Sequence, residues 1–326
     1  MANAVSLGTW AATDVRLGQV TDTLADLRRS KARGASRPSV MTLVVDARTE
    51  EEIYRAAAAM RALGAHHPAR LITLRPNPRA DRPGVDARVA LWDTATAEHH
   101  VTFDEIQLDV KGEATAHLDS IIEPLTLPDV PIVVWYPGTL PSPSELLLGR
   151  ADTILVDTKE AGDERTFAGL VDLARNHTVV DLSWERLRPW RELLAALFDG
   201  PSYLPFVSVV TSIEVDGKPA PRHLLAGWLV SRLGTPRAAV HLRNAQHVSV
   251  CLSSTHDGRT GRFSVIRRAD ERLVRATVTI EDGPSHSELW PLPDDSLAWS
   301  LARALTHLDR DPVWADALAT AVVLSS

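Results

Sequence analysis

Val40–Val45 is an apolar run interrupted only by Thr42 and closed by Asp46, and just beyond it Thr49 stands three residues before Glu52, the spacing of a helix capping box. Ile53, Ala56, Ala57, Met60 and Leu63 then fall on one helical stripe, with Gly64 as the stop. A strand with apolar residues on both faces must be covered on both, so strand and helix together are one unit of an α/β layer fold. The alanines between Arg55 and Met60 let that helix lie close to a sheet. The succession recurs. Upstream, Val20, Leu24 and Leu27 mark a helix ended by Gly34, Ser36, Arg37 and Pro38. Downstream, strands are expected at Ala69–Leu74, Val85–Leu91, Ile106–Val110, Ile132–Tyr136 and Thr153–Val156, with helices over Glu113–Ile122, Pro143–Leu148 and Arg165–Arg175.

Past Arg175 the rhythm changes. A helix over 181–199 aligns Leu187, Trp190, Leu194, Leu197 and Phe198, and a second over Arg222–Leu233 carries Leu225, Trp228 and Leu229. Strands are expected over 207–215, Ala239–Leu242, Val248–Leu252, Arg262–Ile266 and Val274–Ile280, with His256, Asp257 and Gly258 as a hairpin turn. In the last strand Val274, Ala276, Val278 and Ile280 alternate with polar partners, as in an antiparallel sheet with one wet face. A final helix, Leu297–Leu308, is expected to pack on that sheet. The fold expected is α/β with two domains: residues 1–175, an α/β sandwich with a parallel or mixed sheet, and residues 176–326, an α+β domain with a mainly antiparallel sheet.

A length of 326 residues suits two domains of roughly 100 to 200 residues each. The apolar stretches fall far short of the roughly 20 residues that span a bilayer, and Met1–Gly8 lacks the basic patch and apolar block of a secretory signal. Cys251 is the only cysteine, which excludes an internal disulfide and fits a cytoplasmic location. A net charge of -7 and a pI near 5.9 disfavour nucleic acid and anionic membrane as partners. Tryptophan outnumbers phenylalanine 9 to 5, and Trp with Arg is the pair favoured at protein interfaces, so composition leans toward a binding protein.

Catalytic signatures are missing. The turn after Val45 reads Asp46, Ala47, Arg48, Thr49, without the glycines that let backbone approach a pyrophosphate. Asp46 there is read as a turn or helix-capping residue. Gly138–Ser142 lacks the form of a serine nucleophile elbow. His66 and His67, and His99 and His100, are adjacent pairs that on a strand would point to opposite faces, so neither suits one metal ion. Arg70 is read as a snorkelling surface residue, with an anion or partner contact as the alternative.

Two segments carry more. In 127–138, LPDVPIVVWYPG, an apolar strand runs into Trp135 and Tyr136, which point to opposite faces, one in the core and one near a surface or crevice. In 181–199 a helix start concentrates Trp184, Arg186, Arg188, Trp190 and Arg191, with Arg186 expected to stack on Trp190 and the cluster to join the domains or meet a partner. These blocks resemble those of the OpcA family of glucose-6-phosphate dehydrogenase assembly proteins in actinobacteria and cyanobacteria. Leu127–Gly138 matches the first, with Tyr136 where many members have a second Trp; Asp181, Leu182, Trp184, Arg186, Leu187, Trp190 and Arg191 match the second; Leu224–Leu229 matches a third.

The resemblance implies a non-enzymatic protein that binds glucose-6-phosphate dehydrogenase and promotes its active oligomeric state, an allosteric activator in the pentose phosphate pathway with no catalytic residue, cofactor or metal. The candidate partner-binding or interdomain residues are Trp135, Tyr136, Trp184, Arg186, Trp190 and Arg191. Thiol redox control, linked to some photosynthetic members, is not expected with Cys251 alone. The alternative is a small-molecule enzyme or sensor with a pocket at the carboxyl ends of the N-terminal strands, near Asp46 and Trp135.

Overall fold

The computed structural model describes residues 4–31, 39–63, 67–95, 100–161, 167–267, 273–291 and 295–325. The expected stops at Gly34–Pro38 and Gly64, and the residues His66 and His99, lie outside these. The helices are α1 (Leu17–Lys31), α2 (Glu50–Leu63), α3 (Leu118–Ile122), α4 (Thr158–Ala161), α5 (Phe167–Asn176), α6 (Leu182–Ala196), α7 (Pro219–Leu233), α8 (Leu297–Thr306) and α9 (Pro312–Ser325). The chain forms two compact units, each built from three segments: Met1–Glu160, His177–Val180 and Ser296–Asp309 in the first, Ala161–Asn176, Asp181–Asp295 and Arg310–Ser326 in the second.

The first unit is built on a mixed eight-stranded sheet of β1 (Val5–Ala12), β2 (Met41–Asp46), β3 (Ala69–Asn77), β4 (Gly84–Ala95), β5 (His100–Lys111), β6 (Ile132–Tyr136), β7 (Thr153–Val156) and β8 (Val179–Asp181). Its order is β1-β4-β5-β3-β2-β6-β7-β8. The run β5-β3-β2-β6-β7 is parallel, and β4 and β1 add antiparallel at one edge. Every residue of β2 and β7 is buried, which is why both are apolar on both faces. The chain grows from β2 to β3 and β5 on one side, then returns to β6 on the other. The carboxyl ends of β2 and β6 are therefore the topological switch point of the sheet.

Side chains pin this frame. Arg70 is not a snorkelling surface residue. It is 12% exposed and donates through Nε to the buried Asp104 (2.9 Å) and through Nη1 to the Leu125 carbonyl (2.8 Å). Arg28 closes on the same carboxylate with two bonds of 2.9 and 2.8 Å. An isolated buried carboxylate is costly, and two guanidinium groups with three hydrogen bonds offset that cost. The helix α8 also departs from expectation: it packs on α2 in the first unit, not on the C-terminal sheet. Its leucine stripe records that one face is buried without specifying against what.

The second unit holds a six-stranded sheet of β9 (Val210–Gly217), β10 (Val240–Asn244), β11 (Ser249–His256), β12 (Arg259–Arg267), β13 (Leu273–Ile280) and β14 (Ser285–Pro291), in the order β10-β9-β11-β12-β13-β14. Only the β9–β10 pair is parallel. One sheet face is buried beneath α6 and α7, with Phe198 stacked on Phe263 at 4.2 Å between ring centroids. The β11–β12 hairpin turns at Asp257 and Gly258, both at positive φ, as the Asp-Gly pair predicts. Among the described residues no helix is long and apolar enough to cross a membrane.

Candidate functional site

At the switch point, the capping box forms: the Glu52 amide donates to Thr49 Oγ1 at 3.2 Å, and Glu52 Oε2 accepts from the Arg48 and Thr49 amides at 2.6 and 3.2 Å. These amides at the entry to α2 are where an α/β fold would receive a phosphate. Here the helix's own carboxylate sits on them, and Glu50 and Glu51 add negative charge to the first turn. Gly138 makes room for that carboxylate, since a Cβ at 138 would lie 2.1 Å from Glu52 Oε1.

Asp46 is not the helix cap. It is a buried carboxylate whose Oδ2 accepts from Arg48 Nη2 at 2.8 Å, while Arg48 also reaches Glu145 at 3.2 Å. Oδ1 is buried with no hydrogen-bond partner among the described residues. Burial pushes the Asp46 carboxyl up to about 6, against the lowering effect of Arg48. Beside it, Tyr136 is held well above the usual phenol range by burial and by the charges of Asp46 and Glu145. Trp135 and Tyr136 point to opposite faces as expected, yet neither is near the surface; they are 1% and 3% exposed. The indole nitrogen of one and the hydroxyl of the other are also buried without a partner among the described residues.

In the second unit, Asp181 caps α6 by accepting from the Ser183 amide at 2.9 Å. Arg191 makes an aromatic contact within α6, with Trp184: its guanidinium carbon lies 3.4 Å from the Trp184 ring centroid and its Nη2 donates to the Trp184 carbonyl at 3.3 Å. Pro189 lies within α6 and removes a backbone donor from the turn that Arg191 spans. Trp184 Nε1 donates to Asp311 Oδ2 at 2.7 Å, and Asp311 Oδ1 caps α9 through the Val313 and Trp314 amides at 2.8 and 3.1 Å. Burial pulls the Arg191 guanidinium down to about 10, opposed by the charges of Asp311 and Glu185, so it stays cationic at neutral pH. Trp184 and Trp190 are buried at 3% and 7% exposure, and Arg186 is partly exposed.

Residues 60–173 match the family model described as the glucose-6-phosphate dehydrogenase subunit N-terminal domain, and residues 177–318 the model of its C-terminal domain. The chain belongs to the OpcA family. It is similar to the OxPP cycle protein OpcA of Synechococcus elongatus, at 29% identity over 68% of this chain and 49% of that one. It is also similar to the OpcA of a Synechocystis species, at 31% identity over 52% of this chain and 38% of the relative. The chain thus spans about half or less of the length of these OpcA relatives. Among solved structures, levoglucosan dehydrogenase in its apo form aligns at 10% identity with a TM-score of 0.47, over 87% of this chain and 94% of that one.

The structure divides the six candidate residues. Trp135 and Tyr136 sit at the switch point of the first unit; Trp184, Arg186, Trp190 and Arg191 sit on α6 in the second. Sequence reasoning did not single out Glu52 as the occupant of the phosphate position, nor Asp311, whose Asp-Pro pair before an apolar stretch is a helix-start signal. Among the described residues no group of three or more His, Cys, Asp or Glu is placed to hold a metal ion.

Proposed function

We propose that this chain is a non-catalytic cytoplasmic assembly factor that binds glucose-6-phosphate dehydrogenase and promotes its active, substrate-responsive oligomer in the oxidative pentose phosphate pathway. The observation that carries this reading is the match of both halves of the chain to the two domain models of one dehydrogenase-associated family. The seat of Glu52 on the α2 entry supports it, because a nucleotide phosphate there would displace a carboxylate and meet two more. Arg186 belongs to the partner-binding surface, with Trp184, Trp190 and Arg191 holding α6 in shape behind it, and Trp135 and Tyr136 act only by fixing the first unit.

The test is to mix the purified chain with its cognate dehydrogenase and follow co-elution and the substrate dependence of the rate. Co-elution with a changed substrate response is expected; separate elution with unchanged kinetics overturns the reading. By linkage, the chain should bind the dehydrogenase more tightly when the dehydrogenase's substrate is present. Arg186→Ala should weaken binding about 30-fold, the effect of about 2 kcal/mol at a hot-spot arginine. Loss of neither binding nor stability would remove Arg186 from the surface without touching the assembly reading.

A second reading is favoured by the unpartnered Asp46 Oδ1 and Tyr136 hydroxyl at the switch point: a small hydroxyl-bearing molecule bound there by a sensor or enzyme. A ligand at about 100 times its dissociation constant adds about 2.7 kcal/mol of stability. A thermal-shift screen of sugars, sugar phosphates and nucleotides with no shift removes it.

A further inference from the structure

The C-terminal sheet buries one face and leaves the other open. Across the open face the register sets Glu214, Cys251, Ser264, Thr277 and Ser287 in one continuous row from β9 to β14. The adjacent row runs Asp216, Ser249, Ile266, Arg275, Leu289, in which Ile266 and Leu289 are 42% and 49% exposed. A solvent-facing sheet is ordinarily covered by long charged side chains. Here the row from Cys251 to Ser287 is short, the hydroxyls of Ser264, Thr277 and Ser287 and the buried Cys251 thiol, with Arg262 and Arg275 beside it, and the short side chains lose little rotamer freedom when covered. Flat pleated faces stack on one another about 10 Å apart.

Charge on this face is divided. On the β9 side Glu214 and Asp216 outnumber Arg243, which bonds both; on the β12 and β13 side stand Arg262 and Arg275. A two-fold axis lying along the strands between β11 and β12 would set β9 of one copy across β13 of the other, opposing acid to base twice in one interface. Strands about 4.8 Å apart, rising about 3.3 Å per residue, give six strands of these lengths a face of about 700 Å2, close to the roughly 800 Å2 per partner of a standard interface.

We propose that the open face of the C-terminal sheet is a self-association surface on which a second copy of this chain docks, sheet to sheet, about that two-fold axis. Sedimentation velocity and light scattering on the full chain at roughly 100 µM should give twice the mass of 35.6 kDa. Ser264→Arg with Thr277→Arg should give the monomer with an unchanged circular dichroism spectrum. Charge reversal is the sharper arm: Asp216 and Arg275 share a row and so face each other across the axis, so Asp216→Arg alone and Arg275→Glu alone should each weaken the dimer about tenfold or more, and the two together should restore it, a rescue that damage to the fold would not produce. A wild-type monomer, a dimer indifferent to the paired arginines, or single reversals without rescue each overturn the proposal. So does a wild-type monomer whose paired-arginine variant loses the dehydrogenase, which would assign the face to that partner instead.

Discussion

Asp46 is a carboxylate whose burial can be read in a pH titration. Its folded value is about 6 and its ordinary value 3.8. Below 3.8 both states hold the proton. Between the two values the unfolded chain releases it while the folded chain keeps it, so stability falls as pH rises, and above 6 the loss is complete. The gap is worth about 3 kcal/mol. Urea denaturation at pH 4 and pH 7 should show the wild type losing about that much relative to Asp46→Asn, and a constant difference between the two proteins would refute the assignment. Asp311 serves three groups at once, so Asp311→Ala should cost about 2 to 4 kcal/mol, from the lost cap of α9 and the stranded Trp184 indole. Asp311→Asn keeps one acceptor oxygen, enough for the α9 cap but not for the Trp184 indole as well, and should cost less than Asp311→Ala. At this scale the sequence was least legible. The aromatic and cationic residues of α6 were evident as a cluster, but periodicity did not point to the stacking of Arg191 on Trp184, seven residues apart. The pairing of Arg70 with Asp104 joins residues 34 positions apart that carry no shared local signal.

Elements were far more legible, because each announces itself locally. The capping box at Thr49 and Glu52 and the Asp-Gly hairpin are chemistry written within four residues, and both form as read. β14 was missed because all seven of its residues are exposed, which leaves no apolar alternation to detect. α9 was missed because its sequence is apolar nearly all round, with no polar face to set a period. The strand expected over 207–215 is a 3-10 turn followed by β9, and Pro205 within that turn is the reason. The three family blocks turn out to hold element junctions: Gly138 clears Glu52, Asp181 caps α6, and Gly227 lets α7 meet α9. A Cβ on Gly227 would lie 2.2 Å from the Ala317 carbonyl oxygen and 2.9 Å from the Ala321 nitrogen. Gly227→Ala should therefore destabilise the protein by about 1 to 3 kcal/mol, although alanine is the better helix former by about 1 kcal/mol. A variant as stable as wild type in denaturant titration would show that the crossing relaxes freely.

Neither unit is continuous in the chain. The first takes α8 from residues beyond the second unit's sheet, where Leu301, Ala304 and Leu305 are buried in the packing that includes α2. A chain ending at Asp295 therefore lacks part of the first unit's core, and limited proteolysis should cleave it in α2 while the full chain resists; equal resistance would mean α8 is dispensable. The class of both sheets was readable from strand patterning, whereas the home of α8 was not, since an amphipathic helix specifies a buried face and not its neighbour. The interleaving also sets a clock. On the ribosome, β2, α2 and β3 emerge early, but their covering helix is made only after some 200 further residues at about 5 to 20 residues per second. For roughly ten seconds or more the nascent first unit must wait with an uncovered apolar flank, which makes this chain a natural client for chaperones that act before release.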